Sequence, residues 1–130
     1  LNRANFQKAT LKKAVLTEAS LEWANFKEAD LTDADFSKAK MFRADFYQAT
    51  LVSCNFKEAY LGKANLRFAN LKNADLSKAQ LHFADLRDAI LEGVKLDGVD
   101  LRWCRYNDNT IWPDEEFDPQ LTGAILYVRQ

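Results

Sequence analysis

A spacing of five residues governs this chain. At Leu1, Phe6, Leu11, Leu16, Leu21, Phe26 and onward through Leu101, twenty-one positions hold only Leu, Phe and one Met, Met41. Two residues before each stands an alanine, from Ala4 to Ala89 except at Cys54, after which the series loosens to Val94, Val99 and Cys104. Five suits neither ordinary element. On an α-helix five residues advance by roughly 500°, so the leucines would wander around the axis without forming a stripe. On a strand an odd spacing sends successive leucines to opposite faces. The pattern is satisfied when the chain turns by a quarter after each unit, so that four units close a coil and coils stack. Large residues then fill the centre, and alanines occupy places too narrow for anything bigger.

Longer periods agree with a four-sided coil. At twenty-residue intervals Phe6, Phe26 and Phe46 fall in one column and give way to Leu66, Leu86 and Tyr106, while Phe36 falls over Phe56 in another. A third column, Leu11, Leu31, Leu51, Leu71, Leu91 and Ile111, holds no aromatic residue. There is also a period of ten. The residue before the large one is Asp or Asn at Asn5, Asn25, Asp35, Asp45, Asn55, Asn65, Asp75 and Asp85, with Val15 and Lys95 as the exceptions. Asp and Asn side chains accept from backbone N–H groups two residues on and hold tight turns, so these carboxylates are read as turn chemistry and not as catalysts.

The recurring unit (a small residue, Asn or Asp, Leu or Phe, then two variable positions) resembles that of the pentapeptide-repeat proteins, over about residues 1–105. The resemblance implies an all-β fold, a right-handed quadrilateral β-helix of about five coils. The large residue and the alanine two before it then point inward, and the other three residues of each unit point outward. At about 4.8 Å between stacked strands the rod is roughly 25 Å long. Residues 106–130 break the pattern with Trp112-Pro113, Asp114-Glu115-Glu116 and Asp118-Pro119, and are expected to form an irregular C-terminal cap of the same domain, with Trp112 and Phe117 as plugs. Leu121, Ala124 and Leu126 resume the spacing and suggest a partial coil beyond the cap. The stretch from Tyr106 to Pro119 resembles tails of cyanobacterial pentapeptide-repeat proteins.

With the inward positions spent on packing, chemistry must lie outward. The one histidine, His82, is outward and has no second histidine or nearby cysteine to share a metal. Cys54 and Cys104 take the alanine position, as buried small residues on different coils, too far apart to bridge. No Ser-His-Asp set, phosphate-binding glycine loop or concave pocket is expected on a convex rod. The expectation is a protein that is not an enzyme and needs no cofactor or metal.

Outward aromatics are more informative. Trp23, Phe42, Phe83 and Trp103 fall beside the column Leu1, Leu21, Met41, Leu61, Leu81, Leu101, with Tyr60 at the corner leading into it. Arg3, Arg43, Lys63 and Arg102 lie on the same side. Tyr47 and Phe68 belong to the next side. Aromatics with arginine are the residue types enriched at binding hot spots, although the same residues could stack on one another as a stabilising ladder or join two copies. The candidate partner-binding residues are therefore Trp23, Phe42, Arg43, Tyr60, Lys63, Phe83, Arg102 and Trp103.

The reading is a scaffold or interaction module whose partner is another protein or a second copy. An alternative comes from the family resemblance: quinolone-resistance members imitate duplex DNA and bind type II topoisomerases. That mimicry needs a strongly negative rod. Here residues 1–105 carry seventeen Lys and Arg against fourteen Asp and Glu, and the acidic charge sits instead in the tail, at Asp108, Asp114, Glu115, Glu116 and Asp118. A net of +3 is also weak steering for nucleic acid, and a polysaccharide-binding strip rests on the aromatics alone. No apolar run is long enough to span a membrane. A cytoplasmic location is expected, or the thylakoid lumen if a leader has been removed.

Overall fold

Each unit of the chain is one tight turn followed by one rung. The turn closes when the alanine N–H donates to the carbonyl of the large residue three before it, as Ala29 does to Phe26 at 3.1 Å. The residue between them, second after the large one, has φ near +60° throughout, from Arg3 at 63° to Trp103 at 64°. A positive φ at that place is the mark of a type II turn, and it ordinarily favours glycine. Here it is Gly only at Gly93 and Gly98 within the repeat; elsewhere lysine, arginine, acidic, amide and aromatic residues and Ser53 take it.

The computed structural model describes residues 1–128 and shows what holds this strained corner. In the unit from Phe26 to Asp30 every backbone N–H is used. Phe26 donates to the Asp45 carbonyl at 2.7 Å, Glu28 to Tyr47 at 2.9 Å, Ala29 back to Phe26, and Asp30 to Ala9 at 2.9 Å. The fifth, Lys27 N–H, goes to the Asn25 side chain at 2.9 Å. The same side-chain bond recurs at Asn5, Asp35, Asp45, Asn55, Asn65, Asp75 and Asp85, and at Asp30, Asn70 and Asp100. The Asp and Asn residues therefore act as turn locks. Buried amides without partners are costly, and this arrangement satisfies all five.

Rungs pair in parallel at an offset of twenty residues, from Asn5 with Asn25 to Asp85 with Arg105. Each is a single-residue bridge. Only at the end do they lengthen into two-residue strands, β1 (Arg105–Tyr106) and β2 (Ile125–Leu126), which pair in parallel. Between them lies a short 3-10 helix, η1 (Pro119–Thr122), begun by the Asp118 side chain, which accepts from Gln120 N, and ended at Gly123 with φ 87°.

The core is the set of inward columns. Leu21, Phe26, Leu31, Phe36, Met41, Phe46 and their successors to Leu91 are fully buried, as are the alanines between them. Phe6, Phe26 and Phe46 stack with centroids 5.0 Å apart, and Phe36 stacks on Phe56 at 5.2 Å. The two columns meet edge to face, Phe26 with Phe36 at 5.7 Å. Residues 1–20 are less covered, because the first coil has a neighbour on one side only.

At the carboxyl end the register slips by one. Ile90 pairs with Ile111, an offset of twenty-one, and Leu91 N–H donates to the Ile111 carbonyl. Ile111 therefore takes the outward rung position and is half exposed, and Trp112, one residue later, takes the place over Leu91 that the spacing had assigned to Ile111. Trp112 and Phe117 are partly buried against the core, stacked at 5.1 Å, with Tyr106 edge-on to Trp112 at 5.5 Å. Leu121 does not resume the column; it lies on η1 and is 87% exposed, whereas Ala124 is buried and Leu126 packs on the core.

Candidate functional site

The outward side that carries the aromatics is a column of turn corners. Arg3, Trp23, Arg43, Lys63, Phe83 and Trp103 are twenty residues apart, and each occupies the positive-φ position of its turn. Stacked coils bring them within reach of one another. The Arg3 guanidinium lies 5.1 Å from the Trp23 ring centre, and Arg43 lies 4.8 Å from it on the other side. The Lys63 ammonium sits 5.9 Å from both Phe42 and Phe83, and Phe83 stacks on Trp103 at 6.3 Å with the planes 13° apart. The result is an exposed ladder of cations and rings. Cation–π contacts of this kind contribute about 0.5–1 kcal/mol each at exposed sites.

Phe42 stands one residue before Arg43, whose guanidinium lies 5.7 Å from its ring. With Tyr60, Glu22, Lys40, Gly62 and His82 it lines a small cleft of about 290 Å³ beside the ladder. Gly62 has a packing reason: a Cβ there would meet His82 Nε2 at 2.6 Å and Phe42 Cδ2 at 3.2 Å. His82 is accordingly half-buried over Gly62 and edge-on to Phe83 at 6.2 Å, more enclosed than an outward bystander.

Arg102 is on this side but turns away from the ladder. It grips Asp100 with two bonds, Nε to Oδ1 at 3.0 Å and Nη2 to Oδ2 at 2.9 Å. That pairing holds the Asp100 carboxyl below its usual range and raises Arg102. Of the eight sequence-predicted residues, Trp23, Arg43, Lys63, Phe83 and Trp103 share the column, Phe42 joins it from the flank, Tyr60 faces the adjoining cleft, and Arg102 is committed to Asp100.

Between the ladder and β2 runs a groove of about 470 Å³ lined by Arg43, Lys63, Phe83, Trp103, Arg105 and Ile125. Sequence reasoning missed Arg105 and Ile125, because only the parallel pairing of β1 with β2 brings the tail alongside the repeats. On the neighbouring side Asp85 is buried and bound by Arg87, Nε to Oδ1 at 2.8 Å and Nη2 to Oδ2 at 2.6 Å. Burial works to raise the Asp85 pKa, yet the Arg87 bonds and the charges of Arg87 and Arg105 outweigh it, and the carboxyl titrates below its ordinary range. Tyr127 covers Arg87 at 4.5 Å and so fastens the tail.

The cysteines are inert by burial, which pushes both thiols up to about 12. Each S–H donates to the carbonyl of a large residue one coil away, Cys54 to Leu31 at 3.0 Å and Cys104 to Leu81 at 2.7 Å.

Comparison with known proteins gives a consistent family picture. A family model of a pentapeptide repeat region matches residues 1–66, and one of eight pentapeptide repeats matches residues 54–93 and 64–102. The chain is similar to HetL, a pentapeptide repeat protein involved in heterocyst differentiation regulation from the cyanobacterium Nostoc sp. strain PCC 7120. The TM-score is 0.79 at 33% identity, over 82% of this chain and 46% of HetL. It is also similar to Rfr23 of the cyanobacterium Cyanothece 51142, with TM-score 0.71 and 38% identity, over 72% of this chain and 63% of Rfr23. The chain thus spans less than two thirds of either relative. QnrB1, a plasmid-mediated fluoroquinolone resistance protein, shares the fold alone, with TM-score 0.69 at 19% identity over 95% of this chain and 77% of its own. No curated protein matches.

Proposed function

Because this chain belongs to the pentapeptide-repeat family, whose fold is a right-handed β-helix, we propose that it is a non-enzymatic scaffold of about five coils that takes a protein partner on its ladder side. One observation carries the reading. Trp23, Phe83 and Trp103 keep about half their surface in solvent on one column, interleaved with Arg3, Arg43 and Lys63, while the core is complete without them. Large rings held in place beside cations make an interface whose side chains are ordered before binding, which lowers the entropic cost of association. Positive charge on this face argues against imitation of DNA.

The test is capture from an extract of the source cell by wild type and by the triple variant Trp23→Ala, Phe83→Ala, Trp103→Ala. The expected result is a protein retained by wild type and lost from the variant, with both folded and melting within a few degrees of each other. Equal capture by both, or collapse of the variant's stability, would reduce the ladder to architecture.

A further inference from the structure

Among the described residues, seven of the seventeen cations in residues 1–105 have a carboxylate within 4.0 Å. Lys12 reaches Asp30 at 3.6 Å, Lys27 reaches Asp45 at 3.5 Å and Lys57 reaches Asp75 at 3.6 Å, the same step of eighteen residues each time. Arg102 grips Asp100 at 2.9 Å. The ladder cations are set against rings instead. Among the described residues neither Arg43 nor Lys63 has a carboxylate within 4.0 Å, and ring faces are what meet their charge. Arg105 is 3.8 Å from Asp85, but that carboxylate is already held by Arg87 at 2.6 Å, so one negative charge serves two arginines. The groove that Arg43, Lys63 and Arg105 line contains no acidic residue.

Resting on the interaction reading above, we infer that this groove receives an acidic segment of a partner protein, laid along the ladder in extended form. A guanidinium stacked face-on against a ring keeps its N–H edge available for paired bonds to a carboxylate, which is the geometry in which arginine binds carboxylates best. The rungs set the spacing. Four of them, Arg43, Lys63, Phe83 and Trp103, span about 14 Å at ~4.8 Å per coil, and an extended chain presents three side chains on one face over that length. Two acidic residues would meet Arg43 and Lys63, and an apolar one would meet the Phe83–Trp103 stack and Ile125. The occupant is a motif of the form acid–x–acid–x–apolar. A nucleic acid fits less well, because a phosphate backbone needs a longer run of cations. Here Asp85 stands behind Arg105 at 3.8 Å, and Asp100 is not among the groove's lining residues.

The experiment is fluorescence anisotropy with a labelled peptide Glu-Ser-Glu-Ser-Leu, its counterpart Lys-Ser-Lys-Ser-Leu, and an oligothymidine. The double variant Arg43→Gln, Lys63→Gln is compared with wild type and with the charge-keeping variant Arg43→Lys, Lys63→Arg, each checked for an unchanged melting curve. The expected result is binding of the acidic peptide alone. That binding weakens at least tenfold in the glutamine variant, is retained in the charge-keeping one, and falls with added salt. Binding of the lysine peptide as tightly as the acidic one overturns the inference, as does indifference to the glutamine changes. Tighter binding of oligothymidine assigns the groove to nucleic acid. A concentration-dependent dimer abolished by the glutamine variant assigns it to the acidic tail of a second copy; both results overturn the inference. A cellular protein captured by the glutamine variant but not by the aromatic triple variant refutes acidic recognition while keeping the interface. Peptide binding without any captured protein keeps the groove and removes the partner reading of the ladder as a whole.

Discussion

Phe46 is the residue at which the packing argument can be tested most severely. Its ring is wholly buried, stacked on Phe26 at 5.0 Å with planes 3° apart, and edge-on to Phe36 and Phe56 at 6.0 and 6.1 Å. Truncation to alanine removes the transfer energy of the ring and opens a cavity. The coil spacing is set by the backbone bonds of the coils on either side, so the walls cannot close in. The cost should lie toward the upper part of the range for buried Phe→Ala, about 4–5 kcal/mol. Phe46→Leu is a different case. The column continues to Leu66 one coil on, so a leucine already fits this wall, and the cost should be about 1–1.5 kcal/mol from lost ring contacts and a little volume. In guanidinium unfolding followed by circular dichroism, both midpoints should fall at constant slope, with the alanine variant losing about three times as much. Thermal midpoints should follow at roughly 4 °C per kcal/mol. Equal costs for the two variants, or an alanine cost under about 1 kcal/mol, would refute a close-packed column.

Other consequences are separately measurable. Asp75→Ala removes the acceptor of Ser77 N–H at 2.9 Å and the partner of Lys57, and should cost about 1 kcal/mol in denaturant unfolding, whereas Asp75→Asn should recover most of it. Burial lifts the thiols of Cys54 and Cys104 to about 12, so native protein should resist a thiol-reactive dye at pH 8, with both groups reacting in denaturant. Asp85 has a folded pKa below its unfolded one, so its contribution is present above about pH 4 and is lost as pH falls through the folded value. Asp85→Asn should therefore flatten part of the acid limb of a stability–pH curve while lowering stability at neutral pH. Gly98→Ala places a side chain at φ 68° and 3.3 Å from Lys78 Cγ, for an expected loss of about 1 kcal/mol in the same unfolding assay.

How far the chain could be read in advance depended on which forces leave a periodic trace. The inward columns did: alternation of large and small at five, and matching of Phe on Phe at twenty, became the stacks of Phe6, Phe26 and Phe46. The Asp and Asn series did as well, since each bonds the N–H two residues on. The left-handed corner was harder to see, because glycine marks it only at Gly93 and Gly98. A trace existed in what is missing. Across the repeat this position never holds Val, Ile or Thr, whereas the position before it holds Thr17, Thr32 and Val52; β-branched side chains are the ones most hindered at positive φ. The one-residue slip after Tyr106 left no such trace, so Ile111 lies outward while Trp112, expected as a plug, takes the column place assigned to Ile111. In the candidate site, the shared column was legible from spacing. The loss of Arg102 to Asp100 and the arrival of Arg105 and Ile125 depend on side-chain reach and tail pairing, which spacing does not encode.

Magnitudes bear on whether the ladder serves the fold or a partner. Within the free protein the outer rings gain cation–π contacts and one stack, each about 0.5–1.5 kcal/mol, at corners where any side chain but glycine bears the strain of positive φ. The inner columns already hold the coils together without them. Trp103 keeps 56% of its surface in solvent, Phe83 48% and Trp23 46%. On rings that bury on the order of 150–250 Å², covering that remainder removes roughly 100 Å² from water per ring. At about 25 cal/mol per Å² this is 2–3 kcal/mol each. The rings thus have about as much to contribute to a complex as their covered half contributes to the rod, and the cations between them lie against ring faces that would orient them toward an acidic ligand.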